Sequence, residues 1–281
     1  MKKVKIKIPA KLNLSLDILG VKDGYHELNS LVCSVSVYDE IIVSLRSDDL
    51  LTLRCEGIDV GCAVADNNAY KAGKLFKETF SVGGVDIKIK KNIPIGSGLG
   101  GSSADIAGVL LAMKALFGVE EDLSPLADLL GSDSRYMLTG GFAVMRGRGD
   151  IVENISVNEK LYIVVITDSA TLSARQVYKK YDKEGKKYPF STEKATVELV
   201  SGNLKKFCSL IKNDLYPSAL SEVPIIGENI CALEKEGALR ALMTGSGTAT
   251  FGIFADKKSR DKALKNLKAT YGERVFGVET V

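Results

Sequence analysis

Pro94-Ile95-Gly96-Ser97-Gly98-Leu99-Gly100-Gly101-Ser102-Ser103 lies between a stretch that alternates like a strand, Val85 to Lys90, and one with helical spacing, Ser102 to Phe117. That placement gives the glycines their meaning. Glycine takes positive φ at little cost, so a dense run of glycines lets the backbone turn several N–H groups toward one point. The N-terminus of the next helix adds a partial positive charge, and together they make a cradle for a polyphosphate. Ser102 and Ser103 supply hydroxyls, one of which could reach a magnesium ion bridging the phosphates. A flexible turn capping a helix is the plainer reading of the same residues. The loop has no lysine and no Gly-Lys-Ser/Thr, so it is not a Walker loop. Gly98-Leu99-Gly100 does not fit a dinucleotide fold, because the flanking strands alternate as antiparallel ones do.

Working outward, Ala104, Ala107, Gly108, Leu111, Ala112 and Ala115 share one helical face of small residues, suited to lie close on a sheet, and Gly118 supplies a stop. Toward the N-terminus, Val4, Ile6 and Ile8 alternate with lysines as a half-buried strand, which Pro9 is expected to interrupt. Leu12, Leu14, Leu16 and Ile18 then face one way, and Lys11, Asn13, Ser15 and Asp17 the other. Lys11 and Asn13 thus project side by side, roughly 6.7 Å apart along the strand. Ile41 to Arg46 and Leu51 to Cys55 read as a hairpin around Ser47-Asp48-Asp49. Ser124-Pro125 reads as an N-cap with proline at the first helical position, and Phe142 to Arg146 as a strand.

Beyond Gly147 to Asp150 the pattern changes. Leu161 to Thr167 reads as a buried strand, and helices are expected over 174–180, 204–211 and 225–236. Strand, glycine-rich turn and strand over 239–254, then a helix and a last strand, close the chain. An α+β protein is expected, with a domain change near residue 153 that divides it into 1–153 and 154–281.

With 45% of its 281 residues hydrophobic, the chain can fill one large core or two medium ones, so disorder is not expected. Lys+Arg number 38 against 35 Asp+Glu, a net +3 spread without a basic stripe, which argues against a nucleic-acid partner. Apolar runs fall far short of the roughly 18 residues of a bilayer span, so a cytoplasmic protein without a membrane partner is expected. Five scattered cysteines, without a Cys-x-x-Cys pair, read as buried thiols. The single histidine, His26, disfavours zinc-enzyme and triad-hydrolase chemistry.

The loop resembles the Pro-x-x-x-Gly-Leu-Gly-Ser-Ser-Ala pattern of GHMP kinases, the superfamily of galactokinase, homoserine kinase and mevalonate kinase. Pro9-Ala10-Lys11-Leu12-Asn13-Leu14 and Met243-Thr244-Gly245-Ser246-Gly247 agree with that superfamily in order and spacing. The resemblance implies an α+β GHMP kinase two-domain fold, with an N-terminal domain like the second domain of ribosomal protein S5 and a ferredoxin-like C-terminal domain. It further implies ATP over Pro94, Gly96, Ser97, Gly98, Leu99, Gly100, Gly101, Ser102, Ser103 and Ala104, with Mg2+ carried by the phosphates and Ser102 or Ser103 as its candidate ligand.

Gly24-Tyr25-His26-Glu27-Leu28 and Asn213-Asp214-Leu215-x-Pro217 are similar to the branch of these kinases that phosphorylates a cytidine-diphosphate sugar alcohol in non-mevalonate isoprenoid synthesis. As chemistry, Tyr25 offers a flat π face and His26 a ring nitrogen and backbone groups. The resemblance implies that both hold the cytosine, with Tyr178 as a further stacking partner and Asn13 in the substrate site. It also implies that Lys11 approaches the reacting hydroxyl and the γ-phosphate, and that Asp133, in Gly131-Ser132-Asp133, accepts the proton, kept ionised by Lys11. Two departures stand out: Ser134-Arg135 replaces the usual Val-Pro, and the phosphate loop is one residue shorter than the branch's common form. Kinases of homoserine or a mevalonate-like alcohol, a non-catalytic nucleotide-binding relative, and an RNA-binding protein built on the S5-like fold are the competing readings.

Overall fold

The alternation at the N-terminus does give a strand, but Pro9 does not end it. In the structure, a computed structural model describing residues 2–58, 61–168, 170, 172–184 and 188–281, β1 runs without a break over Lys3–Lys22. Its strand partner is β2, Tyr25–Leu45, and a proline is tolerated on such an edge because its missing N–H need not break a ladder. Packing divides the chain into two units. The first comprises Met1–Ala10, Val37–Ile95 and Gly100–Gly140; the second comprises Lys11–Ser36, Gly96–Leu99 and Gly141–Val281. The packing division is thus no single cut at residue 153, because β1 and β2 each give residues to both units.

In the first unit the chain continues through β3 (Leu51–Gly57), α1 (Asn68–Phe80), β4 (Val85–Lys91), α2 (Gly101–Phe117), α3 (Ser124–Leu130) and α4 (Ser134–Thr139). The hairpin expected from 41–46 and 51–55 does not form. β4 lies between its two arms, antiparallel to β2 with Val43 opposite Ile87 and parallel to β3 with Leu53 opposite Ile87. Burial explains the order: Val85, Ile87 and Ile89 are fully or almost fully covered, whereas β3 is exposed from Arg54 onward. A strand apolar at every second position wins the central place. Arg46 binds both Asp48 and Asp86, so the polar turn is tied to the start of β4.

The helix after the glycine loop starts at Gly101 and ends at Gly118, its C-cap with φ 73°. It is buried more widely than the small-residue stripe predicts. Ile106, Val109, Leu110 and Met113 are covered, while Ala115 is exposed. The close approach is real at Gly108, where a Cβ would sit 2.5 Å from Ile41 Cδ1 and 3.0 Å from Ile8 Cγ1. The next helix includes Ser124 instead of being capped by it; Asp122 accepts the Ser124 N–H.

In the second unit β5 (Phe142–Gly147) pairs antiparallel with β2, Val144 opposite Leu31, and with β6 (Ile151–Ile155). There follow β7 (Tyr162–Ile166), α5 (Ala174–Glu184), α6 (Thr192–Val200), α7 (Leu204–Leu210), α8 (Tyr216–Glu222), α9 (Ile225–Lys235), β8 (Arg240–Met243), β9 (Thr250–Phe254), α10 (Lys257–Tyr271) and β10 (Val275–Glu279). The last four strands form an antiparallel sheet in the order β10-β7-β9-β8. Its core joins Val164, Ile166, Met243 and Phe254 to Ile226 and Leu233 of α9 and Leu267 of α10, and it takes in Leu16 and Ile18 from β1. Asp256 and Ser259 form a capping box that starts α10.

The expectation of buried thiols is met only in part. Cys33 and Cys208 are buried, and burial pushes the Cys208 thiol up to about 12. Cys55, Cys62 and Cys231 are exposed, because the residues around them form loops and outward helix or strand faces. Among the described residues no helix is long and apolar enough to cross a membrane.

Candidate active site

Within the second unit, the first half of the glycine loop is built against the residues that the N-terminal strand carries. Ser97 is buried and its carbonyl accepts the Ala249 N–H at 3.1 Å. Gly98 has φ 82°, and a Cβ there would lie 3.0 Å from Gly247 O and 3.1 Å from Thr244 O. Leu99 O accepts from Lys11 N at 3.0 Å. Lys11 donates from Nζ to Asn13 Oδ1 at 2.5 Å, which confirms that the two side chains leave β1 on the same side. Both are buried, Lys11 to 5% exposure, so this polar strand face is interior. Asn13 Nδ2 donates to Ser30 Oγ at 2.8 Å and Asn13 N to Thr244 Oγ1 at 2.8 Å. A Cβ on Gly245 would meet Asn13 Oδ1 at 3.2 Å and Lys11 Nζ at 3.6 Å. Three stretches, two of them 231 residues apart at Asn13 and Thr244, therefore meet at Lys11 and Asn13.

The second half of the loop belongs to the first unit. Gly100 takes φ 79° as the N-cap of α2, and its carbonyl accepts from Ala104 N at 2.8 Å. Ser102 is exposed, and its Oγ accepts from Asn68 Nδ2 at 2.9 Å. Ser103 lies beside the segment that carries Asp133: a Cβ on Gly131 would stand 3.3 Å from Ser103 Oγ and 2.8 Å from Ser134 Oγ. Asp133 is half-buried at the N-cap of α4, and its carbonyl accepts the Met137 N–H at 3.1 Å. The departure at 134–135 is accommodated locally. Ser134 is buried with its N–H on Gly131 O at 3.0 Å, and Arg135 reaches back to α3, Nε to Asp128 Oδ1 at 2.9 Å.

A buried ionic cluster behind the loop was not legible in the sequence. Asp39 Oδ1 accepts the Asn92 and Ile93 N–H groups at 2.6 and 2.9 Å, which fixes the loop entry. Lys91 donates to Asp39 Oδ2, to Asp105 Oδ2 at 2.7 Å and to Gly101 O at 3.4 Å, which fixes the first residue of α2. Burial pushes the Asp105 carboxyl up to about 7, against the pull of Lys91 and helped by the Asp39 charge. Burial alone would pull the Lys91 ammonium down, but Asp105 and Asp39 outweigh it and hold it above the usual lysine range. Two carboxylates around one ammonium retain an extra proton.

At the other end of β1 and β2, His26 Nε2 pairs with Asp182 Oδ1 at 2.7 Å. Its ring lies 4.6 Å from Tyr178 and 6.3 Å, edge-on, from Tyr181, so α5 brings Tyr178 to His26. Tyr25 is exposed, with the Arg148 guanidinium 3.4 Å over its ring. Asp182, Tyr181 and Arg148 were missed because their partners lie more than a hundred residues away and no local pattern marks them. A base could engage the edge of His26 and the faces of these rings, with Arg148 giving way or adding a second stacking plane.

Two family models match the chain: the GHMP kinases N terminal domain at residues 67–145 and the GHMP kinases C terminal domain at residues 195–273. The chain is similar to 4-diphosphocytidyl-2-C-methyl-D-erythritol kinase of Clostridium tetani (strain Massachusetts / E88), 34% identical over 279 residues that cover 96% of this chain and 98% of that one. Its structure is similar to the crystal structure of a 4-(cytidine 5'-diphospho)-2C-methyl-D-erythritol kinase, with a TM-score of 0.83, 31% identity and 99% of both chains covered. The homoserine kinase of Cytophaga hutchinsonii ATCC 33406 superimposes with a TM-score of 0.78 over 100% of this chain and 95% of that one, but at 19% identity this speaks for the fold alone.

Proposed function

The chain belongs to the GHMP kinase family of ATP-dependent phosphotransferases, and we propose that the alcohol it phosphorylates is 4-diphosphocytidyl-2-C-methyl-D-erythritol, a step of non-mevalonate isoprenoid precursor synthesis. The observation that carries this reading is the meeting of Lys11, Asn13, Ser97 to Leu99 and Thr244 to Gly247 in the second unit, in a chain similar along its length to kinases of that name. In the proposal, residues 1–153 form the N-terminal kinase domain with the ATP loop and 154–281 the C-terminal one.

Phosphoryl transfer asks the protein for position and charge more than for covalent chemistry. The nucleotide is held by Pro94, Gly96, Ser97, Gly98, Leu99, Gly100, Gly101, Ser102, Ser103 and Ala104, largely through main-chain N–H groups at the start of α2. Lys11 answers the negative charge of the transferring phosphoryl group, and Asn13 orients Lys11 and the acceptor alcohol. Asp133 accepts the hydroxyl proton as the oxygen attacks. Tyr25, His26 and Tyr178 hold the cytosine.

Among the described residues no group of three or more His, Cys, Asp or Glu could hold a metal ion. In this reading Mg2+ would arrive with the nucleotide and offset the charge of its phosphates, and the hydroxyls of Ser102 and Ser103 would offer it oxygen donors. The enzyme works on small molecules in the cytoplasm.

An ATP-coupled assay offered the cytidine-diphosphate methylerythritol, homoserine and mevalonate separately tests the assignment. ATP consumption and one phosphorylated product are expected with the cytidyl substrate alone. Turnover of homoserine or mevalonate in its place would reassign the substrate, and ATP binding without any product would make the chain a non-catalytic relative.

A further inference from the structure

We propose that Asn213 is a positioning residue for phosphoryl transfer, acting through its side-chain amide on the Thr244–Gly247 turn; the inference rests on the reading that residues 96–103 hold the nucleotide phosphates. Asn213 is buried at 6% exposure. Both hydrogens of its Nδ2 are used on the turn, one on Met243 O at 2.9 Å and one on Gly245 O at 2.8 Å. Its Oδ1 accepts the Leu215 N–H at 3.0 Å. The backbone is fixed as well, because Leu16 N donates to Lys212 O at 2.8 Å and Asp214 N donates to Leu16 O at 3.0 Å, a parallel bridge that pins Asn213 to β1 three residues past Asn13.

Met243 O and Gly245 O straddle Thr244. Holding the Met243–Thr244 and Gly245–Ser246 peptide groups brackets the Thr244–Gly245 peptide between them, and so positions the Thr244 hydroxyl, which accepts from Asn13 N, and the Thr244 carbonyl, which accepts from Gly247 N at 3.0 Å and backs Gly98. Ala249, just past the turn, holds Ser97 O. The amide thus transmits one fixed geometry to the phosphate loop on one side and to the Lys11–Asn13 pair on the other. Only a group with two donors and an acceptor at this reach satisfies the three partners. A carboxylate of the same shape would turn negative oxygens toward two carbonyls.

The test compares Asn213→Asp and Asn213→Ser with the wild type, and with Thr280→Val as a control for buried polar loss. Thr280 is buried at 3% exposure in the same unit, and its hydroxyl accepts the Leu161 N–H at 3.0 Å. The readouts are calorimetric affinity for a non-hydrolysable ATP analogue, kcat and KM with the cytidyl substrate, and Tm. Asn213→Asp is expected to weaken analogue binding and lower kcat by about 10- to 100-fold each, the usual range for a lost pair of buried hydrogen bonds facing a charge. KM for the cytidyl substrate should stay near wild type, since Tyr25 and His26 are untouched. Asn213→Ser, too short to reach both carbonyls, should show the same pattern more mildly, and it decides the matter if the aspartate variant does not fold. Thr280→Val should lower Tm while analogue affinity and kcat per folded molecule hold. Asn213 variants that bind the analogue and turn over like wild type, or that lose only Tm as the control does, overturn the proposal. A wild type that binds no analogue would sink the nucleotide reading itself, and this inference with it.

Discussion

Lys11 sits at 5% exposure with its ammonium on Asn13 Oδ1, and that burial separates it from the many surface lysines of the chain. Its proposed counterpart in the chemistry is Asp133. Replacing Asp133 by Asn keeps the shape and the N-cap place on α4 but removes the proton acceptor, so kcat should fall by about 10²- to 10⁴-fold. Affinity for the ATP analogue should be unchanged, which calorimetry on the same variant checks, and wild-type turnover would remove Asp133 from the mechanism. At this scale the sequence was informative where the pattern is local: strand alternation placed Lys11 and Asn13 on one side, and the glycines marked the turn over residues 96–103. Asp182 and Arg148 were invisible, because the partner of each lies far along the chain, and Asn213 stood out only as part of a motif, without its bonds to the turn.

Among the elements, β2, β4 and α2 are joined by the Asp39–Lys91–Asp105 cluster, which fixes the loop at both of its ends. The Asp105 carboxyl, ordinarily near 3.8, is raised to about 7 in the folded protein. The folded state therefore keeps a proton that the unfolded chain gives up. The stability this provides is complete below the ordinary carboxylate range and is lost as pH rises toward 7, by on the order of a few kcal/mol at most. Asp105→Asn, which holds the neutral shape at every pH, should remove that slope. Thermal melts of both proteins at about pH 5 and about pH 8 measure it: wild type should lose more Tm than the variant, and parallel losses would show that Asp105 does not titrate in this window. The element order also shows why the hairpin reading failed. Turn residues at 47–49 mark a reversal but not a partner, and the choice of partner went to β4, whose Val and Ile side chains are buried between β2 and β3.

For the molecule as a whole, the strongly periodic elements were legible, while α1, α4, β6, α6 and α8 and the grouping of the elements in space were not. Periodicity is local, but packing recruits Leu16 and Ile18 of β1 into the core that Val164, Ile226 and Phe254 build. A fragment of residues 154–281 consequently lacks part of its own interior and the strand that bonds to Lys212 and Asp214. Expressed alone, it should show neither a cooperative melt nor dispersed amide resonances. A stably folded fragment would mean that residue 153 is a true folding boundary.

Gly96 and Gly98 look alike on paper, two residues apart with φ of 69° and 82°. A methyl group on Gly96 would point into open space, so a residue that accepts left-handed backbone, such as asparagine, can replace it. Gly98 is walled in by Gly247 O and Thr244 O, and neither oxygen can retreat without taking the turn with it. At Gly96 the protein's own atoms accordingly leave room for a side chain, while at Gly98 positive φ and two carbonyls in tight contact both press against one.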